Sequence, residues 1–300
     1  MLKIAFHPIY KHPLPKGHRF PMLKYELLPE QLIYEGTCTQ DNFFEPKTPN
    51  DKYILNVHTE AYYNDLKHLT LEKRAARKIG FPLSDILVNR EVIIADGTIK
   101  ASEFALNYGV AMNIAGGTHH AYTDHGEAFC LLNDQAIGAL YLQEKGLAKN
   151  ILIVDLDVHQ GNGTAEIFSG DPSVFTFSMH GKSNYPFKKE VSDLDIALEN
   201  DANDEMYLGL LHETLPKLIA SQRPDFIYYL CGVDVIASDK LGKLGLSIEG
   251  CKQRDRFVLE TCKAAQIPVM CSMGGGYSPD IKTIVEAHAN TFRLAQHIFF

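Results

Sequence analysis

Asp155, Asp157 and His159 follow one another at intervals of two at the end of an apolar run, Asn150-Ile-Leu-Ile-Val-Asp-Leu-Asp-Val-His159. If that run is a strand, alternate side chains share a face and all three groups are presented together. Three ionisable side chains at a buried strand end are costly unless they meet a metal, a counter-charge or each other. Taken alone, the motif also fits an Asp-capped helix start beside a satisfied histidine, because isolated Asp-x-Asp pairs are common. It is not alone. Gly116-Gly-Thr-His119-His120 closes a second apolar run, Gly232-Val-Asp234 a third, and Met273-Gly-Gly-Gly-Tyr277 a fourth. Open α/β sheets bind ligands at the carboxyl ends of their strands. Coincidence explains one such ending well and four poorly.

Two carboxylates and an imidazole from this set suit Zn²⁺ with an open coordination position. Such a site supports metal-assisted hydrolysis, in which the ion lowers the pKa of water and polarises a carbonyl. A histidine outside the ligand set, with an ordinary pKa of about 6.5, can take the proton from that water. A tyrosine hydroxyl can donate to the oxyanion as charge develops. Either member of the His119–His120 pair could be ligand, proton carrier or bystander on this reading.

The elements that must carry these groups alternate short β-branched runs with segments of helical period, the pattern of a parallel sheet covered on both faces. The predicted strands are Lys3–Phe6, Tyr108–Ala115, Asn150–Val158, Val174–Ser178, Asp225–Cys231 and Ile267–Ser272. The predicted helices are Asn133–Lys145, Met206–Ser221, Gly250–Gln266 and Ile281–Phe300. Residues 10–50, rich in Pro, His and Tyr, read as loop and short helix. Surface structure is the simpler account of them, and the rim of a site the alternative.

The 300 residues, 45% hydrophobic, are enough for one large core. The net charge of -8 and the absence of a basic tail exclude a general nucleic-acid binder. A negative field would suit a cationic substrate. No apolar run is long enough to span a bilayer, so no membrane partner is expected. The N-terminal residues lack the apolar core and cleavage site of a secretion signal. Six scattered cysteines show no CxxC. A reducing cytoplasm is the expected setting.

The segments GGTHHA (116–121), AFCLLND (128–134), DLDVHQGNGT (155–164), FSMH (177–180), GVDVIASDKLGKLGLS (232–247) and MGGGY (273–277) resemble the histone deacetylase superfamily in order and separation. The HQGNG variant, the DKLG segment and the QRDRF stretch (253–257) look most like the class IV branch and its bacterial relatives. The resemblance implies one catalytic domain over residues 1–300 with the arginase/deacetylase α/β fold and its eight-stranded parallel sheet. It further implies Asp157, His159 and Asp234 as ligands of one catalytic zinc. His120 would be the general base and then acid, His119 its partner backed by Asp155, and Tyr277 the oxyanion donor. Phe129, beside Ala128, would line the acyl channel, with Tyr185 or Phe187 on the opposite wall. Asp155, Asp157, His159, Ser178 and Met179 would form a structural K⁺ or Na⁺ site. The implied substrate is an acyl-lysine protein or peptide, or an acylated small amine such as an acetylpolyamine.

Two positions depart from the class I pattern. Asn162 stands where an Asp backs the second histidine, and an amide stabilises imidazolium less than a carboxylate does. Ala128 stands where many relatives have Gly, which crowds the channel. Three rival readings differ in their demands. A haloacid-dehalogenase-like phosphatase would use Asp155 as nucleophile with Mg²⁺, yet leaves His119, His120 and Tyr277 without a task. An arginase-like hydrolase would need a second metal-binding segment. A non-catalytic acyl-binding scaffold would be expected to lack one of the reactive groups.

Overall fold

Parallel strands need crossover connections of a dozen residues or more, and the helical segments between the apolar runs supply most of them. The computed structural model describes residues 1–300 as one α/β domain around an eight-stranded, wholly parallel sheet. The strands are β1 (Lys3–Ala5), β2 (Phe43–Phe44), β3 (Val110–Asn113), β4 (Ile151–Asp155), β5 (Val174–Gly181), β6 (Leu194–Leu198), β7 (Phe226–Leu230) and β8 (Val269–Ser272). Their order is β2-β1-β3-β8-β7-β4-β5-β6. The four central strands, β3, β8, β7 and β4, are buried at every position, as expected where helices cover both faces. All four lead into the segments that carry reactive side chains.

One helical layer contains α2 (Asp51–Leu55), α3 (Glu60–Lys67), α5 (Asp85–Tyr108) and α6 (Asp134–Glu144). The other contains α1 (Lys24–Tyr34), α8 (Asp204–Gln222), α9 (Ile248–Ala265) and α10 (Ile281–Phe299). The short helices α4 (Lys73–Ile79) and α7 (Asn162–Ile167) complete the set. Asn133, Asn203, Ser247 and Asp280 cap α6, α8, α9 and α10 by accepting a backbone N–H two or three residues on.

The predicted helices stand within two residues of those found. The strand predicted over Asn150–Val158 is shorter: β4 stops at Asp155. Asp157 N donates to Asp155 Oδ1 and His159 N to Asp157 Oδ1, so each carboxylate captures the amide two residues on and turns the chain out of the sheet. The three groups therefore share a turn rather than one strand face. Tyr108 likewise ends α5 rather than starting β3.

Arg254 on α9 is fully buried behind this edge. Its guanidinium donates to Leu156 O (3.0 Å), just past β4, and to Gly232 O (2.7 Å) and Cys231 O (3.3 Å), just past β7. It also pairs with Asp255, which accepts from Tyr229 and Thr291. One side chain thus fastens two of the segments that reach the site. Arg254→Met strands the buried Asp255 charge and should cost about 3–5 kcal/mol. Thermal unfolding should fall by roughly 10 °C; a shift within about 1 °C would show that these strand ends do not depend on the guanidinium.

Candidate metal centre

The turn after β4 brings Asp157 Oδ1 within 3.0 Å of His159 Nδ1, and the segment after β7 brings Asp234 Oδ2 within 3.2 Å of the same nitrogen. The three ligand atoms lie within 4.8 Å of one another, and all three residues are buried. They form the one such group of three or more converging His, Cys, Asp or Glu side chains in the chain. Asp157 Oδ2 accepts from Gly275 N (2.9 Å) and Asp234 Oδ1 from Val158 N (3.0 Å). Apart from that close approach to the imidazole, which is not aligned as a hydrogen bond, Asp234 Oδ2 meets no donor. A Cβ on Gly232 would stand 2.2 Å from Asp157 Oδ2, and one on Gly275 2.0 Å from Asp234 Oδ2. Only glycine lets both backbones press so close to the carboxylates.

Burial and the Asp157 charge push Asp234 up to about 7. Burial opposes a charge on His159 too, but the two carboxylates outweigh it and raise that imidazole to about 10. Two buried carboxylates, one orphaned oxygen and one imidazole make a donor set that a divalent cation fits.

The segment after β3 delivers the paired histidines, their rings 4.1 Å apart. His119 Nδ1 lies 2.6 Å from Asp155 Oδ2. Burial disfavours its charge, but Asp155 prevails and the pKa is raised. His120 Nδ1 lies 2.5 Å from Asn162 Oδ1. Here burial, followed by the charges of His119 and His159, holds the pKa well below 6.5. Asn162 Nδ2 donates to Tyr122 Oη (2.9 Å), which turns the amide so that its oxygen faces the ring. His120 Nδ1 must then be the N–H donor, leaving Nε2 unprotonated.

Tyr277, after β8, is held by its backbone N–H, which donates to Asp239 Oδ2 (2.5 Å). Burial, and then the Asp234 and Asp157 charges, keep its hydroxyl protonated well above 10. Its ring lies 5.8 Å from Phe20 and 6.1 Å from Phe129. Phe129 packs against Phe81 at 5.0 Å and Phe20 at 5.1 Å. Ala128 and Phe129 both adopt left-handed backbone (φ 43° and 72°), held by N–H bonds to Lys78 O and Ile79 O. The departure from Gly at Ala128 is thus a matter of backbone strain as well as of bulk.

The Tyr185 ring stands 5.0 Å from His120, edge-on, and lines the same cavity as Phe129. Phe187 is 91% exposed at the outer rim. Together these residues bound an entrance cavity of about 370 Å³. Beneath it, beside Asp157 and His159, lies an inner cavity of about 40 Å³, room for a water molecule or two.

Of the residues implied for a monovalent cation, Asp155 and Ser178 are register partners on β4 and β5, and Met179 is buried next to them. Ser178 Oγ is engaged with His180 Nδ1 (3.0 Å), and Asp155 with His119. That engagement also removes Asp155 as a free nucleophile, against the phosphatase reading.

The reading of residues 10–50 as mere surface is corrected. The segment contains the 11-residue helix α1 and supplies Phe20 and Tyr25 to the inner cavity. The Nζ of buried Lys24 donates to Gly274 O (3.0 Å), in the loop that delivers Tyr277. Tyr122, Lys24 and Phe20 carry no motif, so nothing in their spacing marks them.

The family model described as Histone deacetylase domain matches residues 18–292. An uncharacterized protein of Picosynechococcus sp. is 43% identical over 296 residues, covering 99% of each chain. Histone deacetylase clr6 of Schizosaccharomyces pombe is 30% identical over 296 residues, 91% of this chain and 70% of that one. Among solved structures, an HDAC homolog complexed with SAHA superposes with a TM-score of 0.87 at 26% identity, covering 99% of this chain and 84% of that one. An HDAC homolog from Aquifex aeolicus gives 0.84 at 25% identity, covering 98% and 84%.

Proposed function

The chain belongs to the histone deacetylase family, and we propose on that premise that it is a zinc-dependent amidohydrolase removing acetyl or other acyl groups from lysine side chains or related amines. One observation carries the proposal: Asp157, His159 and the orphaned oxygen of Asp234 converge beside His120 and Tyr277 at the floor of an aromatic-walled cavity. Asp157, His159 and Asp234 would hold one zinc ion per chain, which when bound supplies Lewis-acid polarisation of the acyl carbonyl and of water.

The remaining work falls to the chain's own groups. His120 Nε2, unprotonated because Nδ1–H is committed to Asn162, takes the proton of the attacking water and later returns it to the leaving amine. His119, held as imidazolium by Asp155, supplies fixed positive charge beside the developing oxyanion. Tyr277 donates its hydroxyl hydrogen bond to that oxygen. Phe129 and Tyr185 enclose the acyl-lysine stem and exclude water. Asp155, with Ser178 and Met179 alongside and the Asp157–His159 turn above, would also border a K⁺ or Na⁺ site that stiffens the turn.

No helix is long and apolar enough to cross a membrane. All six cysteines are free and buried, which suits the proposed reducing cytoplasm.

Tyr277→Phe tests the reading directly, since it keeps the ring and removes one donor. Turnover of an acetyl-lysine peptide should fall on the order of 10²–10³ in kcat with bound metal unchanged. Undiminished kcat would mean that the hydroxyl has no part in the chemistry.

A further inference from the structure

The charge of the whole chain and the charge around its entrance are opposite in sign. The chain carries -8, yet the charged side chains that line the outer part of the cavity are Arg19, Lys78 and Lys243, with no carboxylate among them. Arg19, exposed, lies over the Phe129 ring at 5.0 Å with no carboxylate partner. Lys243, also exposed, donates to Ser183 O (3.2 Å) and has no carboxylate partner either.

The acidic groups of the neighbouring segments are already engaged. Glu127 pairs with Lys78 (2.8 Å), accepts from the Tyr185 hydroxyl and lies 3.6 Å from His125 Nε2. Asp239, two residues from the lining Leu241, accepts the backbone N–H groups of Leu241, Gly242 and Tyr277. Glu199 is taken by Lys182, and Lys189 spends its donors on the Asn184 and Pro186 carbonyls. Two cations without a carboxylate partner therefore flank the way in.

We propose that Arg19 and Lys243 select an acylated amine that carries a carboxylate close to the scissile amide, and that chains rich in Lys, Arg or secondary amines are disfavoured. The proposal rests on the deacylase reading above and narrows its substrate class. Like charges brought together at a binding surface act against the wrong partner, while complementary ones favour encounter. An exposed pair contributes up to about fivefold each, so the two together should give on the order of tenfold, most of it lost at high salt.

The experiment uses acetyl-lysine peptides of one length, flanked by Asp/Glu, by Ala/Gly or by Lys/Arg. An α-N-blocked acetyl-lysine, as free carboxylate and as carboxamide, shows whether a small anion suffices or a peptide is needed. Expected is a kcat/KM order of acidic over neutral over basic, about tenfold or more between extremes at low ionic strength and compressed in 0.5 M salt. Arg19→Gln with Lys243→Gln should flatten the ratio, and Lys243→Glu should move it toward the basic peptide. Because each readout is a ratio within one protein, a loss of folded enzyme leaves it unmoved. No charge preference, a preference for the basic peptide, or a preference that survives in the double variant would overturn the proposal while leaving the deacylase reading intact. Failure to cleave any member of the series would overturn both.

Discussion

Asp157→Ala and Asp234→Ala should each abolish deacylation, with kcat/KM down by more than about 10³, while the protein stays folded. A catalytic zinc site has three protein ligands, and removal of one leaves two. Loss of a mere supporting contact to such a ligand already costs about 10- to 100-fold in metal affinity or activity. The folding consequence runs the other way. Asp234 in the metal-free protein is a buried carboxylate beside the Asp157 charge, so its removal relieves that repulsion while costing Val158 N its acceptor and His159 one of two carboxylates, and the melting temperature of the apo protein should change little. Metal should reveal the difference. Wild-type protein stripped by a chelator should lose activity, regain it with about one equivalent of Zn²⁺, and melt higher with the ion than without, because an ion that binds only the native state stabilises it by mass action. Neither variant should show that rise. Full activity of a metal-free preparation, or a wild-type melting point indifferent to zinc, would sink the metal-centre reading.

The second large effect separates two adjacent residues. His120→Ala should cost about 10²–10⁴ in kcat, the range for loss of a positioned general base, and His119→Ala considerably less. His119 is paired with Asp155 and biased toward imidazolium, the form that cannot accept a proton. His120 is biased toward the neutral form by burial and by the neighbouring imidazoles, with its Nδ1 proton committed to Asn162. Below the pKa of His120 the base is protonated and idle, so kcat/KM should drop as pH falls through a limb lying below about 6.5. A carboxylate at position 162 stabilises imidazolium and raises that pKa, so Asn162→Asp should move the limb to higher pH. Zinc content should be unchanged in all three variants. A pH–rate series checks every point. If His119→Ala is the more damaging, or Asn162→Asp leaves the limb in place, base and spectator are assigned the wrong way round.

The parts of this protein that its sequence determined by itself are those in which chemistry is packed into a few consecutive residues. GGTHHA, DLDVHQGNGT, GVD and MGGGY each place a reactive group just beyond an apolar run, and apolar runs of five residues are legible because the central strands are buried on both faces. Amphipathic helices such as α9 and α10 were legible for the same local reason. Edge strands were not: β2 is two residues long, and β6 is half-exposed with an acidic residue in it. Neither was α5, where Arg90 to Ile99 are buried without a break, so that no polar stripe marks a helical period.

Tertiary structure alone decided the rest. The resemblance already sets Asp155 behind His119 and Asp157 among the ligands, but the physical reason, a turn starting at the last residue of β4, is not in the spacing of two. Tyr122 sets the orientation of Asn162 from 40 residues away, and Arg254 reaches a carbonyl 98 residues away. The cations of the entrance come from separate loops, and the total charge points to the opposite sign. Short-range periodicity records which face of an element is buried. It carries no record of which distant side chain will lie opposite that face, because that is settled only when the strands pair and the helices close over them.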